Sequence, residues 1–255
     1  MALPDPLRAC MAKRKHQPAA GGAQGLVHSY LRDSRHFATG FLFILPLLIG
    51  YEVGILILRS DVINWAHGII RLVFHVFGPA EPVVFAALIA VLAVLALRQT
   101  EGRRVDAELY GLMLIESVVY AGAMSLVCGF VARRLPMMGT AGPGSDIARD
   151  LVLSVGAGVY EEVLFRVVLM GALYYGLRLW SGLGAGWAAG ISIVVSSLAF
   201  ALCHHLGACG DAWGTAVLAF RFAMGVLFSA VYIYRGLGIV VYTHALYDIL
   251  VSLSR

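Results

Sequence analysis

From Phe37 onward the chain is a succession of apolar stretches, each broken from the next by a few polar, glycine or proline residues. They fall at approximately 37–58, 83–97, 109–131, 149–177, 185–205, 214–234 and 238–254. A helix of about 20 apolar residues crosses the hydrocarbon of a bilayer, and in lipid each spanning segment must satisfy its own backbone hydrogen bonds. No strand-like alternation of apolar and polar residues interrupts the pattern. Composition excludes the soluble alternative. Hydrophobic residues make up 60% of the chain and charged ones 13%, with a mean hydropathy of +0.83, where a soluble domain has about 25% charged residues. The expected fold is an all-α, polytopic transmembrane helix bundle of about seven spans, with one further helix that is re-entrant or interfacial.

That further helix is 63–78. His67, Arg71 and His75 recur every four residues and share a face, with Ile69, Ile70, Val73 and Phe74 opposite. Such a helix lies in the interface or dips below it. His67 and His75 are a candidate metal pair, but the Arg71 between them opposes a bound cation.

Residues 1–36 are polar and basic, holding Arg8, Lys13, Arg14, Lys15, Arg32 and Arg35, and no short apolar run follows a brief charged start, so no signal peptide is read here. Basic tails of this kind set orientation or touch anionic headgroups; nucleic-acid binding is not expected. With the N-terminus inside, the inner segments carry eleven Arg and Lys, the tail residues plus Arg98, Arg103, Arg104, Arg178 and Arg235. The outer segments carry six: Arg59, Arg71, Arg133, Arg134, Arg149 and Arg255. The bias predicts a cytoplasmic N-terminus, in the inner or cytoplasmic membrane. The Gly- and Pro-rich loop 133–148 divides the chain, giving a basic tail (1–36), an N-terminal transmembrane region (37–148) and a catalytic transmembrane core (149–255). The four cysteines, Cys10, Cys128, Cys203 and Cys209, lack paired C-x-x-C spacing, and no disulfide framework is expected.

A charged side chain at membrane depth costs about 2.5–3.5 kcal/mol even on lenient insertion scales, so each one marks a functional site by default. They concentrate in the second half: Glu161, Glu162, Arg166, His204, His205, Arg221, His244 and Asp248. In the first half Glu52 and Glu116 lie within spans, as groups that pair or snorkel; Glu116 with Arg221 is the expected couple.

Three local patterns carry chemistry. In Glu161-Glu162-Val163-Leu164-Phe165-Arg166, Glu162 and Arg166 are one helical turn apart with the acid N-terminal, the favourable order. Glu161 points about 100° away and has no such partner. One carboxylate is thus held, acting through stability, and the other is free to work. In Phe200-Ala201-Leu202-Cys203-His204, Phe200 and His204 share a face. In His244-Ala245-Leu246-Tyr247-Asp248 the histidine and the aspartate do so on the last span. Each pattern alone fits a polar seam between helices; together they supply the groups for hydrolysis. A carboxylate in an apolar setting serves as general base, water between Glu161 and His204 is the nucleophile, and His244 with Asp248 position a carbonyl or stabilise its oxyanion.

At these residues the sequence resembles the type II CAAX prenyl protease and bacteriocin-processing family, also called CPBP or Abi. Its members carry E-E-x-x-x-R, F-x-x-x-H and H-x-x-x-N or H-x-x-x-D, in that order, on separate transmembrane helices. All three occur here in order, within about 150–255. The resemblance implies an all-α intramembrane endopeptidase acting on a membrane-associated protein, either prenylated or carrying a peptide leader, with Glu161 as base, His204 helping to activate water, and His244 with Asp248 at the oxyanion. Glu162, Arg166 and Phe200 take supporting places. No cofactor is implied. Where some members have Asn, Asp248 cannot donate a hydrogen bond when ionised.

Rival readings remain at this level. A zinc protease is the nearest, since Glu, His and Asp are all zinc ligands, although no H-E-x-x-H is present. Cys203, His204, His205 and Cys209 form a second candidate zinc set. A transporter or an inactive, immunity-type membrane protein would use buried charges without hydrolysis. One geometric difficulty attends the protease reading. Seven alternating crossings put His204 near the end of its helix and His244 near the start of another running the same way, about 18 Å apart in depth.

Overall fold

The computed structural model describes residues 22–58, 63–103, 105–134, 146–206 and 210–254. Cys10, Cys209, the four basic residues Arg8 to Lys15, and most of the 133–148 loop lie outside the described residues. Among the described residues all regular structure is helical. The order is α1 (Ala23–Ser34), α2 (Phe37–Leu58), α3 (Trp65–Phe74), a 3₁₀ turn (His75–Ala80), α4 (Glu81–Thr100), α5 (Ala107–Arg134) and α6 (Ile147–Gly156). The chain then winds on through π-helical Ala157–Glu161 and Val163–Met170 into α7 (Gly171–Trp180), followed by α8 (Ala185–Cys203), α9 (Thr215–Arg235) and α10 (Leu237–Leu253). Among the described residues five stretches are long and apolar enough to cross a membrane: Phe37–Leu58, Trp65–Thr100, Ala107–Val131, Ala185–Cys203 and Thr215–Arg235. The helical run 147–180 is broken in hydropathy by its own charges, and Leu237–Leu253 is apolar but shorter. The molecule is a multi-pass integral membrane protein.

Local signals explain the boundaries. Asn64 caps α3, its Oδ1 accepting from the backbone N–H of Ala66 at 2.9 Å and of His67 at 3.4 Å. Asp106 and Asp146 do the same ahead of α5 and α6, satisfying donors that a helix start leaves free. Between α3 and α4 the chain breaks at Gly78, where φ is +55°. Pro82 then sits in the first turn of α4, where its missing N–H costs nothing. The 63–78 segment is thus a short capped helix and a tight turn leading into a long apolar one. Its polar face is divided: His67 is fully buried, whereas Arg71 and His75 reach Glu81, at 3.5 Å for His75. No His67–His75 metal pair forms.

α10 is the axis of the bundle. Leu237 to Val241, Thr243, His244, Ala245 and Tyr247 are all buried, the signature of a helix enclosed on every side. It packs against α2, α5, α6, the first π-wound segment and α9. α4, by contrast, buries only Ala96 and Thr100 among its side chains and faces lipid along most of its length. Lipid gives apolar surfaces no reason to associate, so such bundles are held by close backbone approach and by polar contacts. Gly158 provides one approach. A Cβ there would stand 2.7 Å from both the backbone N and the Cβ of Ala245, so a side chain would push α10 away at a cost of about 1–3 kcal/mol.

Buried polar contacts tie the two ends of the chain together. Arg235 pairs with Glu116, with Nη2 2.8 Å from Oε2, and bonds Ser34 at 3.1 Å; Tyr30 donates to the same carboxylate. The expected Glu116–Arg221 couple is therefore wrong. Arg221 lies at the start of α9 and pairs with Asp211 at 2.8 Å, whereas Arg235 lies at the opposite end, level with Glu116. Glu52 bonds the Tyr160 hydroxyl. Both first-half acids are thus engaged, as expected of them. Gly236, with φ +84°, is the single residue that turns α9 into α10.

Candidate active site

Glu161 ends the first π-wound segment, and Glu162 is the residue before the second. A π-turn packs more residues into each turn than an α-helix and recurs at functional sites. The adjacent carboxylates meet different neighbours. Glu161 is 8% exposed and Glu162 is fully buried. Glu161 Oε1 accepts a hydrogen bond from Asn64 Nδ2 at 2.9 Å. Its Oε2 is buried without a hydrogen-bond partner and lies 3.9 Å from Nε2 of His204 and 3.9 Å from Nε2 of His244.

His204 follows the last residue of α8 and leans back one turn, so that Nδ1 meets the carbonyl of Phe200 at 2.8 Å. A carbonyl only accepts, so the proton sits on Nδ1, and in the neutral ring Nε2 is an acceptor turned toward Glu161. His244 comes from α10. Its Nδ1 is 2.7 Å from Glu162 Oε1 and its Nε2 is 3.5 Å from Asp248 Oδ2, one turn further on. The ring is stacked on Phe228, with centroids 4.3 Å apart.

Glu162 does more than hold Arg166. Its Oε2 lies 3.1 Å from Arg166 Nε while Oε1 fixes His244, so one carboxylate bridges a guanidinium and an imidazole. Arg166 is 1% exposed, donates to the carbonyl of Gly225 at 3.1 Å, and lies 4.7 Å from the ring centroid of Phe200 and 5.6 Å from that of Phe228. Those faces offset part of the cost of burying a cation. Phe200 is therefore a wall shared by Arg166 and His204, whose ring it meets at 4.6 Å.

The expected offset in depth between His204 and His244 does not arise, for two reasons. The backbone N–H of Asp211 returns to the carbonyl of His204 at 2.7 Å, and Arg221, more than a turn inside α9, binds Asp211, so the His204 end of α8 is tied to α9 beyond its first turn. In addition, helical side chains lean toward the N-terminus, which draws the His204 ring back to the level of Phe200.

Of the sequence-predicted residues, His204 and His244 meet around one oxygen of Glu161, Asp248 joins through His244, and Glu162, Arg166 and Phe200 adjoin them. His205 turns away, stacked on Trp213 at 4.6 Å with Nδ1 3.0 Å from the carbonyl of Asp211. Two participants were not foreseen. Asn64 carries a helix-start signal, an Asn just ahead of an apolar run, but nothing local ties it to a glutamate 97 positions away. Phe228 has no signal beyond lying in an apolar span. Cys203 is a free thiol, and the candidate zinc set that includes Cys209 falls partly outside the described residues. Among the described residues no group of three or more His, Cys, Asp or Glu is arranged to hold a metal ion.

Neither a curated protein nor a solved structure matches the chain. Residues 143–250 match the family described as type II CAAX prenyl endopeptidase Rce1-like. The match runs from just ahead of α6 into α10 and includes all three motifs. Through these residues the chain is similar to the Rce1-like group and is consistent with the CPBP family of CAAX-protease-type membrane peptidases.

Proposed function

We propose that this protein is an intramembrane glutamic endopeptidase that hydrolyses a peptide bond in a membrane-associated or lipidated protein, without a cofactor. The observation that carries the reading is the Glu161 carboxylate. One oxygen is held by Asn64, and the other is buried, unbonded and 3.9 Å from two imidazole nitrogens. A single water within hydrogen-bond reach of both sides fits beside a gap of that width.

A water between Glu161 Oε2 and His204 Nε2 meets two acceptors, one for each of its protons, which turns its lone pair outward. It attacks the carbonyl carbon, and Glu161 takes the proton that leaves it. The carbonyl oxygen becomes an oxyanion facing His244. With Nδ1 and Nε2 both protonated, His244 keeps its bond to Glu162 and donates Nε2–H to that oxygen. As the C–N bond breaks, Glu161 returns its proton to the departing amine, so the carboxylate ends as it began. Asp248 acts through His244. The substrate we favour is a prenylated C-terminus or a peptide segment of a membrane protein, reaching the site from the bilayer.

Zinc is the rival. Tetrahedral ligands at about 2.1 Å from the metal stand about 3.4 Å apart, closer than the 3.9 Å contacts here. The test is Glu161→Gln, which keeps the shape and removes the proton acceptor. Hydrolysis of a farnesylated CAAX peptide should fall about 10²- to 10⁴-fold, and the unaltered enzyme should keep working after chelation and dialysis. Loss on chelation with recovery in zinc would replace this mechanism by a metal-assisted one.

A further inference from the structure

We infer that Asn64, which lies well outside the matched residues 143–250, is a positioning residue for Glu161, so that the first half of the chain supplies one arm of the site. The inference rests on the reading of Glu161 as the base.

The amide of Asn64 can face only one way. Its Oδ1 accepts from the backbone N–H of Ala66 and of His67, so the NH₂ must point to Glu161 Oε1, 2.9 Å away. The flipped amide would set its N–H groups against two backbone donors and its oxygen against a carboxylate, with every contact repulsive. The start of α3 thus fixes the orientation of a donor, and the donor fixes one oxygen of the base.

Asn64 is itself clamped from α2. Its backbone N–H meets the hydroxyl of Tyr51 at 3.2 Å, and that hydroxyl lies 2.9 Å from His67 Nδ1. Tyr51 and His67 are both fully buried, and the His67 ring stacks on Tyr160 with centroids 4.4 Å apart. Tyr160 is the neighbour of Glu161 in sequence. The bracket therefore grips the catalytic turn at two adjacent residues. It also explains a buried histidine that the hydrolytic chemistry does not use.

With Oε1 engaged by a neutral donor, the carboxylate cannot rotate about its last bond without losing that contact, and Oε2 stays aimed at His204 and His244. Loss of the donor should slow the chemical step and leave binding alone, because Asn64 faces the base rather than the gap beside it. Supporting contacts of this kind are worth about 10- to 100-fold in rate.

Asn64→Ser separates the two duties of the residue. Serine caps a helix about as well as asparagine but is too short to reach Glu161. In the full-length enzyme in detergent, with a farnesylated CAAX peptide as probe, Asn64→Ser should lower kcat about 10- to 100-fold with KM unchanged and a smaller loss of melting temperature than in Asn64→Ala. Asn64→Ala, which also loses the cap, should melt earlier. Infrared spectroscopy gives a readout independent of turnover: the carboxylate stretching band that disappears in Glu161→Gln should shift in Asn64→Ser. An unshifted band, or an Asn64→Ser enzyme with unaltered kcat, overturns the inference. If Glu161→Gln still cleaves the peptide, the base assignment fails instead, and the infrared band still reports whether the contact exists.

Discussion

Replacing Glu162 by Gln removes one negative charge from between a buried guanidinium and a buried imidazole. Arg166 is 1% exposed, and its charged partner among the contacts described is the carboxylate 3.1 Å away. A glutamine can still accept from one neighbour through its oxygen, but its NH₂ then faces the other donor. Breaking a buried pair by altering one member costs about 3–5 kcal/mol. In a chain of this size that corresponds to a melting temperature lower by about 6–20 °C. Thermal unfolding in mild detergent, followed by intrinsic tryptophan fluorescence, reads the shift directly. The sequence leads one to expect activity lost only in proportion to protein lost. Because the same carboxylate holds His244 Nδ1 at 2.7 Å, hydrolysis per folded molecule should fall as well. The double variant Glu162→Gln/Arg166→Met separates the effects. Removing the stranded cation should restore much of the melting temperature without restoring activity. A single variant that melts within about 2 °C of the unaltered protein, less than the shift expected from 1 kcal/mol, would refute the account of Arg166 as a cation dependent on Glu162.

His204→Ala should abolish cleavage while His205→Ala keeps most of it, since His205 is turned onto Trp213; peptide hydrolysis by the purified variants checks this, and the reverse result would mean the F-x-x-x-H motif has been misassigned. Asp248→Asn should keep activity within about tenfold, because an amide donates to an oxyanion directly, whereas Asp248→Leu should lose it; equal loss in both would mean that the charge beside His244 is required. A reporter fused ahead of Met1 should read as cytoplasmic, given the Arg and Lys bias, and an extracytoplasmic signal would reverse the orientation of every span.

Much of this architecture was legible because membrane helices announce themselves by length and hydropathy: the stretches read at 37–58, 185–205 and 214–234 fall within two residues of α2, α8 and α9. The ordered motifs also placed their helices around a common point. Pairing across the bundle was less legible. Glu116 was matched to Arg221 on charge alone, when the register of α9 sets Arg235 beside it. The π-winding was invisible too, since no composition rule distinguishes 157–170 from an ordinary helix, and the i to i+4 spacing of Glu162 and Arg166 survives it. Asn64 was missed because its reach to Glu161 depends on where α3 docks, which is a property of packing.

The ties between Arg235 and Glu116, and between Glu162 and His244, have a consequence for how the protein is made. Glu116 and Arg235 are separated by 119 positions, and His244 lies 82 beyond Glu162. Translation delivers the acids first. Until α9 and α10 emerge, Glu116 has entered the membrane without Arg235, and Glu162 has Arg166 but not His244, at about 2.5–3.5 kcal/mol for a charge left unpaired at the centre of a bilayer. The early helices must therefore wait in a sheltered place, beside the insertion machinery or one another, for the helix that completes them. Because α10 is the axis of the bundle and follows the other helices in the chain, a ribosome that stalls before it leaves a chain inserted but unassembled, with no His244 beside Glu162.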